Sequence, residues 1–192
     1  MRSDDELWVF VLGHAHYADR SAYLNLPGTD VSAKEFGEWF APFECQRSVF
    51  FLTTPLSGYF VKPLAKLGRV VIAATGADLE NNETLYPSSL AELLEVFPNG
   101  DSHDIDQDGV HSLLDLYLAV ARDVEAQYEA DELQATEHAQ LEDNGDGRGS
   151  ELQVDFADKS SESPARRIAR RRPGRDGELS RSIDLGGMLQ QP

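Results

Sequence analysis

One histidine of this chain stands where a proton could be moved. His14 follows the apolar run Trp8-Val9-Phe10-Val11-Leu12 and Gly13. An imidazole titrates near neutral pH and can serve as a general base. It can equally do no more than cap the end of a strand. His16 lies two residues on, and two imidazoles at that spacing on a strand share a face, a geometry zinc can use. The remaining histidines, His103, His111 and His138, are scattered, and the one cysteine, Cys45, provides no metal-binding pair. A nucleophile elbow is absent around Ser57, because Pro55 and Tyr59 stand where its glycines would be.

Two acidic stretches could hold a hard cation. In Asp104-Ile105-Asp106-Gln107-Asp108-Gly109 the carboxylates fall at positions one, three and five of a calcium loop, and Gly109 takes the sharp turn. Val110 would offer its carbonyl, Ser112 sits at position nine, and Asp115 stands at twelve, where glutamate normally gives two oxygens. The competing reading is an acidic turn that caps a helix starting near Ser112, since carboxylates suit the positive end of a helix dipole. Glu142, Asn144 and Asp146 begin a second such loop, with Gln153, a poor bidentate ligand, at position twelve. An Asn-Gly/Asp-Gly turn explains that stretch as well.

The elements that must position these residues read as α/β. A short unbroken apolar run suits a strand covered on both faces, as in a parallel sheet. Such runs occur at Trp8–Leu12, Ser48–Thr54 and Arg69–Thr75. Ser32-Ala33-Lys34-Glu35 has the form of a capping box, with Phe36, Trp39 and Phe40 at helical spacing behind it. A helix is expected over 59–67, with Pro63 kinking or ending it. Another is expected to open at the capping box Ser89–Glu92 and stop near Pro98-Asn99-Gly100, and a long one to run from about Ser112 to Leu141. Residues 17–35 between the first strand and the first helix read as a loop. Three parallel strands with intervening helices imply right-handed crossovers. Ligands of such sheets sit beyond the carboxyl ends of the strands, where Gly13-His14 falls.

Composition narrows the classes. Residues 1–150 hold 27 Asp+Glu against 9 Lys+Arg. A body this acidic repels nucleic-acid phosphates and anionic lipid and attracts cations. No run of apolar residues is long enough to span a membrane, and the first residues lack the apolar core of a secretory signal, so a cytoplasmic protein is the default expectation. Beyond residue 150 the chain turns to Gly, Ser, Asp and Arg and is expected to be a disordered tail over 150–192. Its arginines, Arg166, Arg167, Arg170, Arg171, Arg172 and Arg175, could bind phosphates but lack interleaved aromatic residues.

Several stretches together resemble the legumain- and caspase-type cysteine peptidases, specifically a bacterial legumain-like group. They are VFVLGHA at 9–15, NLPGTD at 25–30, VFFLTTPLSGYF at 49–60, RVVIAATGADLENNETLY at 69–86, DIDQDGVHSLLD at 104–115 and TEHAQLEDNGDGRG at 136–149. The resemblance covers about residues 6–149. It implies a three-layer, mostly parallel sheet flanked by helices, here N-terminally incomplete, because the superfamily has an earlier strand that helps build the specificity pocket. It also implies that His14 matches the general base and that Pro55 stands at the nucleophile position, with Ser57-Gly58 matching the Ser-Gly that follows. The glycine whose N–H helps hold the oxyanion is replaced by Ala15.

A thiolate activated by imidazole is what that chemistry needs, and proline has no nucleophilic atom. The resemblance therefore points to a peptidase homologue that has lost its nucleophile and acts by binding a protein or peptide. Two rivals stay open: a hydrolase using an unconventional residue such as Ser57, and a calcium-dependent, EF-hand-like interaction module built on Asp104 to Asp115.

Overall fold

The computed structural model describes residues 4–78, 80–97, 103–156 and 174–186. Its centre is a four-stranded mixed sheet in the order β1 (Glu6–Val11), β5 (Arg47–Leu52), β6 (Arg69–Ala73) and β7 (Gln140–Glu142). The three expected strands run parallel, with Glu6 opposite Arg47 and Ser48 opposite Arg69. The fourth is antiparallel to β6. Every residue of β6, and of β5 from Ser48 onward, is buried, as an unbroken apolar run requires.

Helices cover both faces. On one side lie α1 (Ala33–Phe40) and α2 (Gly58–Leu64), packed through Phe36, Phe60 and Leu64 onto Phe50, Leu52 and Val71. On the other lie α3 (Tyr86–Val96) and α4 (Leu113–Ala130), whose Leu90, Leu116 and Val120 meet Val49, Phe51, Val70 and Ile72. The alternation of β5 and β6 residues between two cores makes a three-layer α/β domain. Gly37 is required where α1 crosses α2, because a Cβ there would lie 2.5 Å from the Pro63 carbonyl oxygen. No helix among the described residues is long and apolar enough to cross a membrane.

The structure corrects several expectations. β1 is not covered on both faces: it is the margin of the sheet, with Phe10 45% exposed while its ring lies flat on Phe51 at 4.9 Å. The segment read as a loop holds a small antiparallel sheet of β2 (Ala15–Ala18), β3 (Ser21–Leu24) and β4 (Val31–Ser32). Its hairpin turns through Asp19 and Arg20, both at positive φ, where glycine or asparagine would have signalled the turn.

The Ser32–Glu35 capping box forms as read. The one expected at Ser89 does not, because α3 begins at Tyr86 with Pro87 in its first turn, and Ser89 is buried, accepting from Gln127. Residues 98–102, where that helix was expected to stop, lie outside the described residues. The long helix stops at Ala130 rather than Leu141. Glu132 turns the chain at φ 55°, and Leu141 enters the sheet opposite Ile72.

The expected disordered tail also divides. Leu152–Phe156 forms the short helix α5, and residues 174–186, with α6 (Glu178–Arg181), fold back onto the domain. Ile183 and Leu185 are buried there, each stabilising by about 1.5–3 kcal/mol. Leu113 N–H donates to the Ile183 carbonyl at 2.9 Å, and Leu185 N–H to the His111 carbonyl at 2.9 Å. The low average apolar content of the segment hid three well-placed residues, Leu179, Ile183 and Leu185, that dock it. Arg166, Arg167 and Arg170 to Arg172 lie outside the described residues, and Arg175 pairs with Asp155 at 3.5 Å.

Candidate functional site

The carboxyl ends of β1 and β5 lie side by side, and the first candidate site is built there. Thr53 ties the two strands: its N–H and its hydroxyl both donate to the Val11 carbonyl, at 3.0 and 2.9 Å. Thr84, from the segment after β6, donates its hydroxyl to the Thr53 carbonyl. That segment brings Glu83 to His14, with Nε2 and Oε2 3.4 Å apart and both side chains largely in water. The His14 carbonyl accepts the Asn25 N–H at 3.0 Å, which closes the β2–β3 hairpin under the imidazole.

Beyond β5 the chain passes through Pro55, which is buried, and Leu56, held at φ 58° with its N–H on the Glu80 carbonyl. Ser57 is fully buried. Its hydroxyl oxygen accepts the Thr75 N–H at 3.1 Å and shares a hydrogen bond with the Thr75 hydroxyl at 3.1 Å. This hydroxyl ties the turn to the end of β6. The adjoining Gly58 is required because a Cβ there would come within 2.3 Å of the Gly76 backbone. Cys45 lies before β5, at the opposite end of the sheet from His14, with its thiol on the Arg47 carbonyl.

The other histidines do not join His14. His16 bonds Asn25 through Nδ1 at 2.6 Å and stacks on Tyr23. His103 and His111 contact Phe97, and His138 bonds Glu80. The spacing of His14 and His16 suggested zinc, but the two rings engage different partners.

The second candidate site is the loop 104–115. Among the described residues, Asp104, Asp106 and Asp108 form a group whose carboxylate oxygens lie within 4.8 Å of one another. The backbone folds each carboxylate inward. Asp104 accepts from Asp108 N–H at 3.1 Å and Gly109 N–H at 3.0 Å, Asp106 from Asp108 N–H at 3.2 Å, and Asp108 from Val110 N–H at 2.9 Å. Gly109 takes the turn at φ 88°.

Asp115 closes the loop. Oδ1 accepts from Ile105 and Asp106, while Oδ2 accepts the Ser112 N–H and hydroxyl. The cap reading of this stretch therefore holds as well: Ser112 and Asp115 form a reciprocal capping box at the start of α4. Val110, whose carbonyl would be the seventh-position donor, is exposed. Arg181 of α6 donates to Asp106 and lies 3.6 Å from Asp108. Burial pushes the Asp106 carboxyl above its ordinary value, and Arg181 works against that shift.

Some ionisable groups gave no signal in the sequence. Glu137 is buried, accepts the N–H groups of Leu85 and Tyr86 at the start of α3, and takes the Tyr128 hydroxyl at 3.1 Å. Burial raises its carboxyl above the usual range. It lines a cavity of about 210 Å³ with Ala74, Val124, His138 and Glu151, away from His14. Arg181 was not legible either, because it reaches Asp106 from a segment far along the chain. Compared with known proteins, the sequence matches no family model and no curated protein.

Proposed function

We propose that this chain is a catalytically inactive homologue of the legumain/caspase-type cysteine peptidases, whose strand-tip cleft binds a protein or peptide and does not cut it. The observation that carries this reading is the cleft itself. Two adjacent parallel strands end together, His14 stands at one tip, and the other tip carries a buried proline followed by a serine whose hydroxyl is spent on Thr75. A general base without a nucleophile leaves recognition as the remaining chemistry. The exposed His14–Glu83 pair and the free margin of β1 are the groups a peptide would meet.

Electrophilic probes test it. Iodoacetamide and a fluorophosphonate, followed by mass spectrometry of the intact folded chain, are expected to leave Ser57 unlabelled and to modify Cys45 alone. Labelling of Ser57 that disappears in His14→Ala would establish the hydrolase reading instead.

A second reading is favoured by a specific observation, the convergence of Asp104, Asp106 and Asp108 around a glycine turn. In that reading the loop takes calcium with Asp104, Asp106, Asp108, the Val110 carbonyl, Ser112 and Asp115 as oxygen donors. Calorimetry with calcium on the wild type and on Asp104→Ala plus Asp108→Ala decides it. Heat lost in the double variant supports the site, and no heat at millimolar calcium in the wild type removes it.

A further inference from the structure

The second acidic stretch, 142–153, repeats the first in its hydrogen bonds as well as its spacing. Position one accepts the N–H of position six: Asp104 from Gly109, and Glu142 from Gly147 at 3.3 Å. Position three accepts from position five: Asp106 from Asp108, and Asn144 from Asp146 at 2.8 Å. Position five accepts from position seven: Asp108 from Val110, and Asp146 from Arg148 at 2.8 Å. Residues four and six of both loops sit at positive φ.

The loops differ at position twelve, where the first has Asp115 and the second has Gln153. The Gln153 amide oxygen is taken by the Tyr117 hydroxyl at 2.6 Å. In the first loop Asp115 holds the N–H of the second residue, Ile105, through one oxygen and the hydroxyl of the ninth, Ser112, through the other. In the second loop the corresponding groups are the Asp143 N–H and the Ser150 hydroxyl. Asp176, from the C-terminal segment, holds both: Oδ1 accepts Asp143 N–H at 3.2 Å and Oδ2 accepts the Ser150 hydroxyl. Asp176 thus does for the second loop what Asp115 does for the first.

An independent observation points to a ligand. Glu142 is wholly buried, with Oε1 on the Gly147 N–H, and Oε2 has no hydrogen-bond partner among the described residues. A buried carboxylate oxygen left unpaired is costly unless a proton or a cation meets it. Arg69, which feels the Glu142 charge, spends its donors on Ser48, Leu64 and Phe40. The neighbouring Asp143 is used by the Gly177 and Ser180 N–H groups. Asp176 adds a further negative charge beside Glu142.

We propose that residues 142–150 and Asp176 form a site for a divalent cation of the calcium class, with oxygens from Glu142, Asn144, Asp146, the Arg148 carbonyl and Asp176. Calcium accepts such mixed carboxylate, amide and carbonyl sets. Because Asp176 belongs to the segment 174–186, cation uptake at this site would be linked to the docking of that segment and would strengthen it. Protonation of Glu142 is the rival way to satisfy Oε2.

The test uses the full chain with the first loop disabled by Asp104→Asn and Asp108→Asn, so its outcome is independent of the calcium reading of 104–115 and of the cleft. Calcium is titrated by calorimetry, and hydrogen exchange of 174–186 is followed in parallel. Uptake of one calcium is expected, with exchange in that segment slowed as calcium rises. Glu142→Gln and Asp176→Asn, each shown to be folded by circular dichroism, are expected to weaken uptake on the order of tenfold or more. No uptake at millimolar calcium, or uptake undiminished in Glu142→Gln, overturns the proposal. Should Asp176→Asn fail to fold, Glu142→Gln decides alone. An amide mimics a protonated carboxyl, so a merely protonated Glu142 predicts a folded variant with calcium response unchanged.

Discussion

The cleft at the strand tips and the acidic loops near the C-terminal segment are built from opposite uses of polar groups. In the strand-tip region, the hydroxyls of Thr53, Ser57, Thr75 and Thr84 and the N–H groups of Thr53 and Thr75 are spent on one another and on strand carbonyls, while His14 and Glu83 face water. In the first loop three carboxylates converge, and in the second a buried oxygen of Glu142 has no hydrogen-bond partner among the described residues. Thr54 Oγ1, at the strand tips, is likewise buried without a hydrogen-bond partner among the described residues, but an unpaired hydroxyl costs far less than an unpaired carboxylate oxygen, so Glu142 makes the stronger demand for a proton or a cation. On the proposed reading the strand tips offer a base without a nucleophile, whereas the acidic loops offer oxygen donors to a cation.

The largest effect that would break this contrast is expected at Asp143. Its two oxygens hold the Gly177 and Ser180 N–H groups at 2.8 and 2.7 Å, and the residue is buried. Asp143→Ala is expected to cost about 3 kcal/mol by leaving those donors unpaired. The check is a lower denaturant midpoint together with fast exchange confined to 174–186. If the segment stays protected, its docking does not depend on the second loop.

Next comes Ser57. As a structural hydroxyl it holds the Thr75 N–H, so Ser57→Ala is expected to cost about 1–2 kcal/mol in chemical denaturation. A nucleophile facing the cleft would give no such loss of stability.

Arg181 sharpens the comparison between the loops. Arg181→Gln removes the guanidinium that offsets Asp106 and Asp108 and leaves the buried Asp106 carboxylate without its cation, so a loss of stability is expected when no calcium is present. If loop 104–115 takes calcium, calorimetry should show tighter binding on the order of tenfold, because the ion no longer displaces a cation already in place.

The smallest effect lies outside both regions. Glu80 raises the His138 pKa above its ordinary value, with Glu151 and Asp78 adding to the shift and partial burial opposing it. A raised histidine pKa contributes stability that is present below about pH 6.5 and lost as pH rises through the raised value. Thermal unfolding across that window should show this fall in the wild type and its absence in His138→Gln.

The sheet was legible because β5 and β6 are short, wholly apolar and bounded by turns, a pattern few other structures satisfy. The capping box at Ser32 was legible because both partners lie within three residues, but the same spacing at Ser89 misled, since that helix starts earlier and buries Ser89. β7 was hidden by its length of three residues behind a polar stretch, and the β2–β3 hairpin by a turn made of Asp19 and Arg20. At the sites, His14 and the spacing of both acidic loops could be read directly. Asp176 and Arg181 could not, because each is delivered by a segment distant in sequence and no local pattern encodes the meeting. The burial of Ser57 was likewise beyond a one-dimensional reading, since it depends on β6 ending beside it.

We have proposed that the strand tips present a base, His14, without a nucleophile. The most direct measurement is steady-state hydrolysis of a fluorogenic peptide library by the full chain beside its His14→Ala variant. No turnover above buffer in either protein is the predicted result. Turnover by the wild type that vanishes in His14→Ala would contradict it and restore a working enzyme.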